Sequence, residues 1–119
     1  MPTTKSGSAL QASATNTAGS TTSSSALDMS TSYGAVITGL ITNGGTGPTL
    51  PCNAILEVSH DSGTTWDEWA RMTAGTTAST TYYFAWEIPA PVMRARVRFT
   101  GNTAQSVTVA ARAHHLTEL

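Results

Sequence analysis

The sequence predicts an all-β fold: an antiparallel two-sheet β-sandwich, jelly-roll or immunoglobulin-like, of about seven or eight strands, carrying a flexible N-terminal arm. Short runs of β-branched and aromatic residues recur at about ten-residue intervals. Most of these runs alternate apolar and polar side chains with a period of two, as strands with one buried face require. Gly, Pro and Asn separate them, and the connections are too short for crossover helices, which makes the pairing antiparallel. A small closed barrel shares these local signals and stands as the structural alternative.

The first 26 residues differ from the rest. The stretch SGSALQASATNTAGSTTSSSA is polar and free of aromatics, with Leu10 the one large aliphatic residue between the initiator and Ala26. Such a segment buries too little surface to offset the entropy of ordering itself. Residues 1–26 are therefore expected to form a flexible Ser/Thr-rich arm and residues 27–119 the sandwich domain, so that deleting the arm would leave the domain folded. The leader lacks the apolar run of a signal peptide, and no window reaches the length of a membrane span.

From Leu27 the strands follow in order. One is expected near Ala26 to Ser30, and a second from Gly34 to Thr42, where Gly39 suggests a bulge. The loop Asn43, Gly44, Gly45, Thr46, Gly47, Pro48 ends it. Next, Cys52 to His60 alternates Ala54, Leu56 and Val58 with Asn53, Ile55 and Glu57, and a hairpin at Asp61, Ser62 and Gly63 leads into Thr65 to Thr73. Tyr82 to Ile88 places Tyr82, Phe84, Trp86 and Ile88 on one face. Val92 to Thr100 sets Met93, Ala95, Val97 and Phe99 against Arg94, Arg96 and Arg98. The last strand, Ser106 to about His114, offers Val107, Val109, Ala111 and Ala113 to the core.

Composition narrows the function. Of 119 residues, 11% are charged, against roughly 25% in typical soluble domains, and the formal net charge is −1. That charge supplies no field to gather nucleic acid or anionic lipid. The one cysteine, Cys52, excludes an intramolecular disulfide and reads as a small buried apolar residue. No catalytic or metal-binding constellation is recognisable. His60 falls inside a tight hairpin, His114 and His115 point to opposite faces of a strand end, and the glycines at 44, 45 and 47 precede a strand where a phosphate loop precedes a helix. No cofactor is implied.

The octapeptide Ser59, His60, Asp61, Ser62, Gly63, Thr64, Thr65, Trp66 resembles an Asp-box, the S-x-D-x-G-x-T-W hairpin of sialidase propellers. The resemblance implies a structural role, with Ser59 and Asp61 bonding the hairpin backbone, Gly63 permitting the turn and Trp66 packing beneath it. A propeller would repeat the box, and this chain contains it once.

Two features are candidates for partner binding. Arg94, Arg96 and Arg98 line one strand face, next to Arg112 if the last two strands form a hairpin, and guanidinium forks suit carboxylates on a partner. Glu57, Asp67, Glu68 or Glu87 on neighbouring strands would instead neutralise the row. Trp69 and Tyr83 are the second feature: Trp66 and Trp69 are an odd number of positions apart, which puts one of them outside the core of a regular strand.

The Ser/Thr/Ala/Gly-rich leader, LDMSTSYGAVITGLITNGGTGPTLPCNAILEVSHDSGTTWDEW and the closing VMRARVRFTGN together resemble small β-sandwich structural proteins of tailed bacteriophages, of the capsid decoration or cement type. The resemblance implies a non-catalytic virion protein on the capsid surface. Its partners would be the major capsid protein or other virion subunits, and it would be a homo-oligomer or present in many copies, with no nucleic acid or membrane partner. A tail or head-tail connector component and a carbohydrate-binding module are the alternatives.

Overall fold

The computed structural model describes residues 4–29, 34–61, 63–89, 92 and 94–118. Among these residues, nine strands account for the regular structure: β1 (Thr4–Asn16), β2 (Thr22–Ser23), β3 (Leu27–Asp28), β4 (Ala35–Asn43), β5 (Asn53–Ser59), β6 (Asp67–Thr73), β7 (Thr81–Ile88), β8 (Arg94–Thr100) and β9 (Val107–Glu118). They form two antiparallel sheets. Sheet A has the order β1-β9-β4-β7, and sheet B the order β2-β8-β5-β6 with β3 also on β8. Because β2 and β3 both pair with β8, they act as one interrupted strand. Apart from that interruption and the β5–β6 hairpin, every connection crosses from one sheet to the other, which is the wiring of a jelly roll.

The alternation in the sequence explains the packing. Phe84 and Ile88 of β7, Ala95, Val97 and Phe99 of β8, and Val107, Val109, Ala111 and Ala113 of β9 all point between the sheets and are buried. Ile37 and Ile41 of β4 meet Ala54, Leu56 and Val58 of β5 in the same core. Phe99 is fully buried, with its ring centroid 6.0 Å from that of Phe84. Cys52 is also fully buried, and desolvation pushes its thiol up to about 11.

Three expectations change. Residues 4–16 were assigned to a flexible arm, yet they form β1, which pairs along β9 from Thr4↔Glu118 to Asn16↔Val107. Leu10 joins the core, Asn16 is fully buried, and Ser24 Oγ accepts from the Val97 amide at 2.9 Å, so the arm and the sandwich have no boundary at residue 26. Backbone pairing to an available strand edge outweighs the low apolar content of the segment. Gly39 is not a bulge, for β4 keeps unbroken register with both β7 and β9. A Cβ there would run into the Phe84 ring and the Ala110 carbonyl oxygen, so glycine at this position makes room for an aromatic side chain. Finally, β8 and β9 do not form a hairpin: the 101–106 connection carries the chain to the other sheet.

Candidate functional site

The arginine row lies on the outer face of sheet B, where β5 runs between β8 and β6. Glu57 of β5 is opposite Arg96 on one side and Glu68 on the other. Its Oε1 accepts from Arg96 Nε at 2.9 Å and lies 3.5 Å from Arg98 Nε, a distance of electrostatic contact without hydrogen-bond alignment. Arg71 Nη2 donates to Glu68 Oε1 at 2.8 Å, and the pair holds the Glu68 carboxyl below its ordinary range. The Arg96 guanidinium also sits 4.2 Å from the Trp66 ring centroid, a cation–π contact. Much of the row's charge is therefore answered within the sheet. Arg112 belongs to sheet A, opposite Thr38 and Ala9, and does not extend the row as a hairpin would have required.

The 59–66 turn is held by a compact set of bonds. Ser59 Oγ accepts from the Gly63 amide at 2.9 Å and donates to Asp61 Oδ1 at 2.8 Å. Asp61 Oδ1 accepts from the amides of Thr65 at 2.7 Å and Thr64 at 3.1 Å. Gly63 takes φ 92°, and Trp66 Nε1 donates to the Gly63 carbonyl at 3.0 Å. These donors, the Thr65 amide foremost, lower the Asp61 carboxyl from 3.8 to about 2. A folded value below the unfolded one stabilises the protein above pH 3.8, and this contribution is lost as pH falls toward 2. Urea midpoints measured from pH 7 to pH 2 should therefore fall less steeply across that window in Asp61→Asn than in the wild type, with the variant already weaker at pH 7.

Tyr83 is 75% exposed and Trp69 48% exposed. They stand on edge strands of different sheets, β7 and β6. Trp69 falls at a register shift: Leu56 pairs with Ala70 but Glu57 with Glu68, so Trp69 is the extra residue of a β-bulge. Trp69 shares its exposed face with Arg71 and Thr73, two and four positions on, and the bulge resets the alternation on its N-terminal side. Tyr83 borders a shallow depression of about 430 Å³ on the outer face of sheet A, lined also by Thr38, Leu40, Ala110 and Arg112.

The topology creates a surface that reading one strand at a time does not reveal. The connections 17–21, 44–52, 74–80 and 101–106 all emerge at one end of the sandwich, and none contains a charged residue. A transverse row of threonines, Thr81, Thr42, Thr108 and Thr15, crosses sheet A at this end. Thr100, Asn53 and Thr73 make the matching row on sheet B. The loops are stitched to one another: the Gly19 amide donates to the Asn102 carbonyl, Thr49 to Thr103, and Ser79 to Gly44. Beneath them, Asn16 Nδ2 donates to Asn102 Oδ1 at 2.6 Å, and Asn43 Nδ2 donates to the carbonyls of Gly75 and Thr77. Ser79 (φ 55°) and Ala104 (φ 72°), the non-glycine residues with positive φ among those described, both lie in these loops. Leu50 is 57% exposed there.

Among the described residues, no group of three or more His, Cys, Asp or Glu side chains is placed to hold a metal ion. No helix among them is long and apolar enough to cross a membrane.

No protein-family model matches the chain, and no curated protein matches it. Solved structures do. A chain of the Bacillus endospore appendages, described as disulfide-linked pili, superposes with a TM-score of 0.61 at 13% identity, covering 99% of this chain and 93% of that one. A chain of infectious bursal disease virus, Gx strain, superposes with a TM-score of 0.58 at 14% identity, covering 96% of this chain and 32% of the viral one. The K3 cleaved adhesin domain of Lys-gingipain from Porphyromonas gingivalis gives 0.55 at 11% identity, covering 92% and 72%. At these identities the likeness establishes a shared β-sandwich fold.

Proposed function

We propose that this chain is a non-catalytic virion structural protein of the capsid decoration type, which seats on the major capsid protein and is present in many copies on the particle surface. The observation that carries this reading is the uncharged end. Burying a surface of Thr, Ser, Gly and Ala requires no charge to be desolvated, and short side chains have little rotamer freedom to lose. The cross-bonded loops hold that surface in one shape before a partner arrives, which lowers the ordering cost of binding. Many such contacts on one shell give avidity to individually weak attachments. The phage-like organisation of the sequence supplies the partner class. No cofactor, nucleic acid or membrane enters the reading.

Copy number tests it. Quantitative mass spectrometry of purified particles against the major capsid protein should find hundreds of copies. A dozen or fewer would move the chain to the tail or connector, and absence would end the virion reading. Thr46→Asp combined with Thr77→Asp places two carboxylates on exposed loop positions of the uncharged end. This variant should fold normally and lose most of its occupancy on particles. The exposed Tyr83 and Trp69 favour a second reading, a carbohydrate-binding module, which predicts saturable quenching of tryptophan and tyrosine fluorescence by a glycan.

A further inference from the structure

We infer that β7 is the edge through which two copies of this chain pair, antiparallel and about a two-fold axis, joining their A sheets into one continuous sheet. The inference rests on how differently the open edges are built. Unpaired strand edges invite pairing with another chain, and natural proteins blunt them with charges, bulges, interruptions or irregular register. The β6 edge carries a bulge together with Asp67, Glu68 and Arg71. On the other side of sheet B, the edge is broken into the two-residue pieces β2 and β3. At the far edge of sheet A, β1 has register shifts at three places.

The β7 edge has no bulge, interruption or register shift, and its single charge is confined to one end. Its eight residues, Thr81–Ile88, stay in unbroken register with β4, contain no proline or lysine, and have β4 as their single strand partner. The composition is strongly β-forming, with Tyr82, Tyr83, Phe84 and Trp86.

The same strand selects the occupant. Glu87 is its one charged residue and stands near one end. Antiparallel pairing of two β7 strands holds the two carboxylates apart, whereas parallel pairing would place them side by side. With Phe84 on the two-fold axis, Tyr83 faces Ala85 of the second copy and Thr81 faces its Glu87. Each large exposed ring then meets a small side chain, and each carboxylate meets a hydroxyl. A two-fold contact repeats these pairs twice and closes, giving a dimer and not a filament.

This pairing concerns the chain alone and survives or fails independently of the capsid reading, which copy number on particles decides. The test is the mass of the purified full-length chain by light scattering and sedimentation over a concentration series reaching the millimolar range. The expected species has twice the 12.3 kDa mass of the chain. Ala85→Lys, at an exposed edge position, should raise the dissociation constant at least tenfold, with an unchanged thermal midpoint at concentrations where both chains are monomeric. Thr108→Lys, exposed on β9 of the same sheet face, should leave the dimer intact. The double variant Tyr83→Cys, Ala85→Cys should form an intermolecular disulfide under mild oxidation, since opposed cross-strand positions fall within disulfide reach. A monomer at every concentration, or a dimer broken by Thr108→Lys and untouched by Ala85→Lys, would overturn the inference.

Discussion

A chain lacking residues 1–26 should not retain the native domain. Truncation removes the strand that covers the outer edge of β9, along with Leu10 from the core, Asn16 from beneath the end loops and Ser24 from its bond to Val97. Burial of a leucine alone is worth about 1.5–3 kcal/mol, and each lost partner of a buried polar group costs about 1–3 kcal/mol more. Asn102 would lose both the Asn16 side chain that donates to it and the Asn16 carbonyl that it bonds. Against a total stability of about 5–15 kcal/mol, the sum is a large fraction. The truncated chain should melt at least about 15 °C lower or without cooperativity. Its newly bared β9 edge should also make it aggregate. Circular dichroism melts and size-exclusion profiles check both points, and an unaggregated species with the wild-type midpoint would show β1 to be dispensable.

Phe99→Ala should have the next largest effect. The ring is fully buried where β8 meets the facing sheet, and Phe84, itself 4.7 Å from Trp86 between ring centroids, is its aromatic neighbour. Truncation removes the transfer free energy of the ring and leaves a cavity that a close-packed interior fills only in part, at a cost of about 3–5 kcal/mol. Equilibrium unfolding in urea should show the midpoint falling with the slope unchanged. Phe99→Leu, which retains most of the volume, should recover more than half of the loss.

How much was legible in the sequence depends on what each element buries. Strands β4, β5, β7, β8 and β9 announce themselves because one face of each must be apolar, and the alternation through Phe84, Val97 and Val109 carries that requirement directly. Strand β1 is silent because its contribution is mostly main-chain pairing, with Leu10 its one large apolar side chain. Trp69 is exposed in alternation with Arg71 and Thr73, but its relation to Trp66 was not legible, because the bulge between them leaves no trace in the residue pattern. Arg112 was misplaced because succession along the chain suggests a hairpin, while the 101–106 connection is long enough to change sheets. The uncharged end is the clearest case of distributed information. Each loop looks like ordinary Gly/Thr-rich connector, and it takes the jelly-roll wiring to gather all four at one pole.

The pairing of Thr4 with Glu118 has a mechanical meaning. The first and last strands lie side by side and antiparallel, so both ends of the described chain leave from the pole opposite the uncharged loops. Tension applied between them would load the β1–β9 ladder one rung at a time, like a zipper pulled from its open end, and little force would be needed. A load entering through the uncharged loops and leaving through the flank of a sheet would meet many bonds in parallel. The body is thus soft to forces along its own chain, and a pull on its ends would strip β1, and with it the stability that β1 contributes, before any other strand is loaded.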